Sequence, residues 1–280
     1  MGAAEATLPT PGHQKVFGLV WRTVREALFL LEVGTLCVLA LFVRKGVCRS
    51  EASMEGKTVI VTGANAGIGK ATAMDLAKRK ARVILACRNM ERAKRAAQEI
   101  FDATGQVAVV KQLDLASFKS VNDFCDDILK TESRLDVLIN NAGIVTESKG
   151  IKLTEDGYEL CYQSNYLSHY LLTMRLLGVT VNALHPGDVK TNIATNSPGG
   201  LFFGFLLALA GKTAEEGAQT SIYLAVEPKM SKETGRYYSD CQRAWISRQA
   251  ADRRRCERFF WDSARLVRLD EAEVKALVEK

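Results

Sequence analysis

Residues 58–69 read TVIVTGANAGIG, and the fold turns on them. TVIVT is a short β-branched apolar run, the character of a buried strand. Gly63, Gly67 and Gly69 follow it directly, ahead of a helical pattern that runs from about Lys70 to Arg79. Glycine is needed where a backbone turns sharply and comes close to a pyrophosphate, and a helix N-terminus offers that anion free N–H groups and a positive dipole end. The arrangement predicts a dinucleotide site. A Walker A loop does not fit, because aligning Gly69 and Lys70 with its GK puts Ala64 at its first glycine and Ala71 at its Ser/Thr position. The competing reading is a glycine-rich turn without a ligand.

Outward from this stretch, apolar runs alternate with helical patterns. RVILAC precedes a helix near Met90 to Ala103, VAVVKQLDL precedes a helix near Phe118 to Leu129, and LDVLINNAG follows. Strand and helix alternating in this way predict an α/β fold with a doubly wound parallel sheet, Rossmann-like. VTVNALHPG reads as a further strand, and ETGRYY near Glu233 to Tyr238 as a late one. Arg253, Arg254 and Arg255 open a segment whose apolar residues recur at helical spacing, so they read as a solvated helix face rather than a nucleic-acid patch.

The second strand ends beside Arg88, where an NAD-selective site would offer an acidic group to the ribose hydroxyls. A guanidinium there suits a 2′-phosphate, with Lys70 as a second positive charge, so NADP(H) is favoured over NAD(H). A solvated arginine at a strand end is the alternative.

The chain has 280 residues, 47% hydrophobic, enough for one full-sized α/β core plus a short extra segment. Its +6 charge suggests an acidic membrane surface or a phosphate-bearing ligand before nucleic acid. Seven cysteines without a CxxC pair, and three histidines, give neither a disulfide framework nor metal-ligand spacing. Residues 27–43, ALFLLEVGTLCVLALFV, carry one charge, Glu32, between basic flanks. At about 1.5 Å per residue they reach roughly 26 Å, a membrane anchor if the flanks snorkel. A membrane-surface helix and an unusual signal sequence are the alternatives. The expected organisation is residues 1–50 as membrane segment and linker and 51–280 as the cofactor-binding domain. LFFGFLLALAG, residues 201–211, is too short to span a bilayer and reads as a buried helix or an apolar flap over a pocket.

Together these residues resemble the short-chain dehydrogenases/reductases, in their retinol dehydrogenase-like branch. The resemblance is carried by Thr62-Gly63-Ala64-Asn65-Ala66-Gly67-Ile68-Gly69, Asp114-Leu115, Asn140-Asn141-Ala142-Gly143, Asn165, and Pro186-Gly187 with Thr191. It implies a cofactor site made by Gly63, Asn65, Gly67, Ile68, Gly69, Lys70 and Arg88. Asp114 and Leu115 would hold the adenine end, and Asn141, Ala142 and Gly143 would shape the strand edge under the ribose. Pro186, Gly187 and Thr191 would position the nicotinamide, and Asn165 would hold a helix kink and a water in a proton relay. The implied substrate is an apolar, retinoid-like alcohol or aldehyde, and the implied location a membrane: the endoplasmic reticulum, with a mitochondrial membrane as alternative. A homo-oligomer is compatible with the family, and no nucleic-acid partner is expected.

One part of the family pattern is absent. The family's proton-transferring tyrosine is helped by a lysine one helical turn later, because a free phenol with a pKa of about 10 is a poor base. Seven tyrosines stand in this chain, and none has lysine four residues on. The family's serine-bearing strand and YxxxK helix would lie between LLTMRLL and VTVNALHPG, an interval of about fifty residues. Gly178 alone fills it here. Tyr158, Tyr162, Tyr166 and Tyr170 share one helix face and read as a packing stripe. VTVNALHPG could enter the slot vacated by the lost strand, leaving a shortened sheet with uncovered apolar surface and weak stability. The expectation is an oxidoreductase impaired or inactive as it stands, against two alternatives: a noncatalytic NADP-binding pseudoenzyme, or an unstable shortened product of splicing or gene modelling.

Overall fold

The computed structural model describes residues 45–146, 150–176, 180–190 and 211–278. The apolar run 27–43, the junction at Gly178, Thr191 and residues 201–210 lie outside the described residues. Among the described residues no helix is long and apolar enough to cross a membrane.

Alternation comes out as the sequence predicts. Strand β1 (Thr58–Thr62) leads to helix α1 (Gly67–Lys78), β2 (Arg82–Cys87) to α2 (Met90–Thr104), and β3 (Val109–Gln112) to α3 (Phe118–Thr131). Strand β4 (Val137–Ile139) leads to α4, which comprises Leu160–Tyr162, a π-helical turn over Gln163–Leu167, and Ser168–Arg175. The four strands form one parallel sheet in the order β3-β2-β1-β4. Every residue of β1 is buried, and its side chains alternate between two cores. Val59 and Val61 join Val83 and Leu85 under α1 and α2, whereas Ile60 and Ile84 pack on the other face against Phe118 and Val121 of α3 and Leu167 and Leu171 of α4. This alternation is the period of two expected of a strand covered on both faces. Each wholly buried Val, Leu or Ile contributes about 1.5–3 kcal/mol of transfer free energy.

The remaining elements are β5 (Ala183–His185), α5 (Ala214–Val226), a 3-10 turn (Pro228–Lys232), β6 (Tyr237–Ser239), β7 (Gln242–Arg243), α6 (Arg253–Leu266) and α7 (Glu271–Val278). Ala218, Ile222 and Val226 bring α5 onto the same core as α1 and α2. Residues 45–50, expected to be linker, are already tied to α5: Lys45 pairs with Glu216 at 2.9 Å and the Cys48 N–H donates to the Gln219 amide oxygen at 3.0 Å.

One expectation is corrected here. VTVNALHPG does not take the place beside β4; β5 pairs in parallel with β6, which pairs antiparallel with β7, as a separate three-stranded sheet. The reason lies in local polar complementarity. Asn182 donates to the Glu233 carbonyl at 2.7 Å and accepts from the Arg236 N–H at 3.1 Å, while the Gly235 N–H donates to the Val181 carbonyl at 2.7 Å. The late strand therefore starts at Tyr237, four residues after the predicted Glu233, because residues 233–236 serve as partners to the approach to β5.

Candidate cofactor site

The loop after β1 is shaped by close approaches that only glycine allows. Gly63 has φ +66°, and a Cβ there would lie 2.9 Å from both Cα and Cβ of Ala142. A Cβ on Gly69 would lie 2.8 Å from the Gly63 carbonyl oxygen and would overlap the Asn141 amide. The glycines thus press the loop onto the Asn141-Ala142 turn, as the sequence reading expects of a backbone that must approach an anion.

The start of α1 differs from the other helix starts. Asn89 caps α2, Ser117 caps α3, Thr213 and Glu216 form a reciprocal capping box on α5, and Asp252 caps α6. At α1 the N-cap is Ala66, with no side-chain cap and no acidic residue in the first turn. Its first N–H groups are left for an external acceptor, and a dinucleotide's pyrophosphate fits that need. Arg88 follows β2 with an exposed side chain and no hydrogen bond or ion pair among the described residues. Lys70, by contrast, is engaged: its Nζ lies 2.6 Å from Glu99 Oε2 on α2.

Beneath the loop, Thr62 is a hub that sequence reading quoted without assigning a role. Its Oγ1 accepts the N–H groups of Asn141 and Ala142, each at 2.9 Å, and lies 3.1 Å from His169 Nε2. His169 Nδ1 lies 3.3 Å from the Asn165 carbonyl, which can only accept, so Nδ1 carries the proton and Nε2 accepts from the Thr62 hydroxyl. Burial holds the His169 pKa below its ordinary 6.5, against the opposing pull of that carbonyl. The neutral imidazole thereby joins the ends of β1 and β4 to α4. The spacing Asn165-x-x-x-His169 was the available signal.

Asn165 sits in the π-helical turn, and its amide clamps the backbone of Ile144: Oδ1 accepts the N–H and Nδ2 donates to the carbonyl, both at 2.8 Å. The π-helical turn at this residue interrupts the regular α-helical hydrogen bonding of α4. Asp114 Oδ1 accepts the Ala116 N–H at 2.9 Å, holding the turn after β3, and the buried Leu115 offers its carbonyl to the Ser168 hydroxyl at 2.7 Å.

The Pro186-Gly187 turn is built around a residue that carried no signal in the sequence. Lys212 is 3% exposed, its Nζ donates to the Pro186 carbonyl at 3.2 Å, and it pairs with Asp240 at 2.5 Å.

Three tyrosines of the stripe are engaged by α6. Tyr158 donates to the Leu266 carbonyl at 2.7 Å, Tyr170 to the Phe260 carbonyl at 3.0 Å, and Tyr166 shares a 2.6 Å hydrogen bond with Ser263. These three pack under α6, whereas Tyr162 stacks on Tyr166 and stays exposed; burial raises the phenol pKa of Tyr166 and Tyr170. Lys229 approaches a tyrosine, 5.4 Å above the ring of Tyr223. Tyr223 lies ten residues along α5 from its N-cap Thr213, about 15 Å down the helix.

Comparison with known proteins agrees with this geometry. Residues 57–178 match the family model for short chain dehydrogenases. Retinol dehydrogenase 13 of Mus musculus is 35% identical, with the match covering 85% of this chain and 91% of that protein. Retinol dehydrogenase 14 of Mus musculus is 36% identical over 76% of this chain and 86% of its own length. Among solved structures, L-sorbose reductase from Gluconobacter frateurii, crystallised with NADPH and L-sorbose, shares the fold at a TM-score of 0.54 and 18% identity, covering 67% of this chain and 95% of its own. With the strand, glycine loop, Asn141 turn and π-interrupted helix in family order, the chain belongs to the short-chain dehydrogenase/reductase family and is retinol dehydrogenase-like.

Proposed function

We propose that this chain binds NADP(H) in the cleft between the glycine loop and the Asn141 turn, and that it turns over retinoid-like alcohols or aldehydes poorly or not at all. The uncapped start of α1, pressed by Gly63 and Gly69 onto the Asn141 turn, carries the cofactor half of this reading. Arg88, exposed at the end of β2, supplies a guanidinium for a 2′-phosphate. When bound, the nicotinamide would supply hydride chemistry; Gly67, Ile68 and Gly69 would bind the pyrophosphate, and Asn141 would orient the strand edge beneath it.

The catalytic half rests on what the sequence lacks. No tyrosine is followed by lysine at i+4, and Tyr158, Tyr166 and Tyr170 are engaged by α6. Three further observations support an absent strand and helix. The family model's match ends at residue 178, the junction itself. The match to mouse retinol dehydrogenase 13 runs over 307 positions, of which 85% of a 280-residue chain supplies about 238, leaving roughly seventy without a counterpart. The outer edge of β4 has no strand partner among the described residues. Attachment to a membrane through residues 27–43, at the endoplasmic reticulum or a mitochondrial membrane, belongs to the same proposal and is supported by hydropathy.

NADPH fluorescence titration of the full chain, with Gly69→Val as control and retinaldehyde added in the same cuvette, tests both halves. Binding that the control abolishes, with NADPH oxidation at least about 10³-fold slower than in a relative retaining YxxxK, is expected. Oxidation at a relative's rate would refute the catalytic half; absence of binding would refute the cofactor half.

A further inference from the structure

We infer that Lys212 is a positioning residue for the nicotinamide end of the cofactor cleft, fixing the Pro186-Gly187 turn from beneath through its ion pair with Asp240. The inference rests on the cofactor reading above and on the family resemblance that puts the nicotinamide at Pro186-Gly187; Lys212 and Asp240 themselves lie outside the family motifs.

Residue 212 holds the turn in two ways. Through the main chain, its N–H donates to the Asp188 carbonyl at 2.8 Å and its carbonyl accepts from the Lys190 N–H at 2.9 Å, a parallel bridge opposite Val189. Through the side chain, Nζ reaches the Pro186 carbonyl. Gly187 wraps over that ammonium group with φ +87°, where a Cβ would stand 2.7 Å from Nζ. A non-glycine residue would meet both the left-handed backbone conformation and the lysine.

Asp240 is itself held for this purpose. It and Cys241 form the two-residue turn between β6 and β7, with φ of +51° and +58°. Non-glycine residues enter that region at a cost, and the surroundings must fix them there. The Asp240 carboxylate accepts the Gly46 N–H at 3.2 Å as well as Lys212. Gly46 lies so close that a Cβ on it would overlap the Asp240 backbone. A strained hairpin turn, a glycine in close approach and a buried ammonium group therefore converge on one carbonyl of the turn. An ammonium group out of water needs its charge matched, so Lys212 cannot move away from Asp240, and the Pro186 carbonyl moves with neither.

The distinguishing feature is locality. Gly63, Gly69 and Arg88 serve the phosphates and the adenine half; Lys212 serves the other end. The full chain and its Lys212→Met, Lys212→Arg and Asp240→Asn variants are titrated with NADPH and, separately, with 2′,5′-ADP, which lacks the nicotinamide. The expected result is that Lys212→Met weakens NADPH about tenfold or more and lowers the emission of the bound nicotinamide. Its affinity for 2′,5′-ADP stays within about twofold of wild type, Asp240→Asn behaves like Lys212→Met, and Lys212→Arg recovers most of the NADPH affinity. Equal NADPH binding in wild type and Lys212→Met would overturn the inference. Parallel loss of both ligands would also overturn it, showing a general folding role. A wild-type chain that binds neither ligand would overturn the cofactor reading, and the inference with it.

Discussion

Strands β1 and β5 both read as strands in the sequence and end up in different environments. TVIVT is buried at every position, whereas Ala183 and His185 of β5 are exposed and Leu184 is half-buried. Composition alone does not set the burial of either strand. Neighbours do: β1 lies between β2 and β4, while β5 has β6 on one side and no strand on the other among the described residues. β4 shows the same effect from the opposite side, with all three residues half-buried although one edge pairs with β1. A strand that reads as central and lies at an edge exposes unpaired backbone groups.

The largest effect that can break this comparison is a pair of core truncations. Leu85→Ala removes a wholly buried side chain from the core under α1 and α2, and about 2–5 kcal/mol of stability should go with it. Leu184→Ala in β5 removes one that is already half in water, and less than about 1 kcal/mol is expected. Urea denaturation of the two variants reads the difference. Equal losses would show that the two sheets share one cooperative core.

A smaller effect follows from the Thr62–His169 hub. The folded imidazole resists protonation because it is buried, and the unfolded one titrates near its ordinary 6.5. As pH falls below about 6.5 the unfolded chain binds the extra proton first, so stability declines until the folded pKa is reached. Denaturation midpoints measured from pH 8 to pH 5 should fall across the lower half of that window, and His169→Gln should flatten the fall. The same slope in wild type and variant would place the titrating group elsewhere.

Much of the first half was legible because its signals are local. The glycine loop, the strand period of two, and Asn165 in a π-interrupted helix each lie within a few neighbouring residues. The hub was not legible, since Thr62 and His169 stand 107 residues apart and neither type announces the contact. Lys212 and Asp240 are 28 apart and look like ordinary surface charges until the fold buries the lysine. The partner of β5 was misjudged for a related reason. A strand's own residues specify that it pairs, and the Asn182 contacts to residues 233 and 236 decide with what.

Lys70 offers the finest test of how far a local signal carries. Its position after the glycine loop suggested a second charge for the 2′-phosphate, but in the structure its ammonium group is paired with Glu99, about a third of the lysine side chain remaining in water. An ion pair this exposed contributes at most about 1 kcal/mol, so Glu99→Gln should leave the denaturation midpoint almost unchanged. The cofactor responds differently in the two cases. If Lys70 can swing from Glu99 to a phosphate, releasing it should tighten NADPH by about two- to threefold and steepen the loss of affinity with added salt. If Lys70 belongs to the α1–α2 surface, NADPH affinity and its salt dependence should match wild type. Because Arg88 has no partner among the described residues while Lys70 is paired, the second outcome is expected, and it would place the phosphate selectivity on the single guanidinium beyond β2.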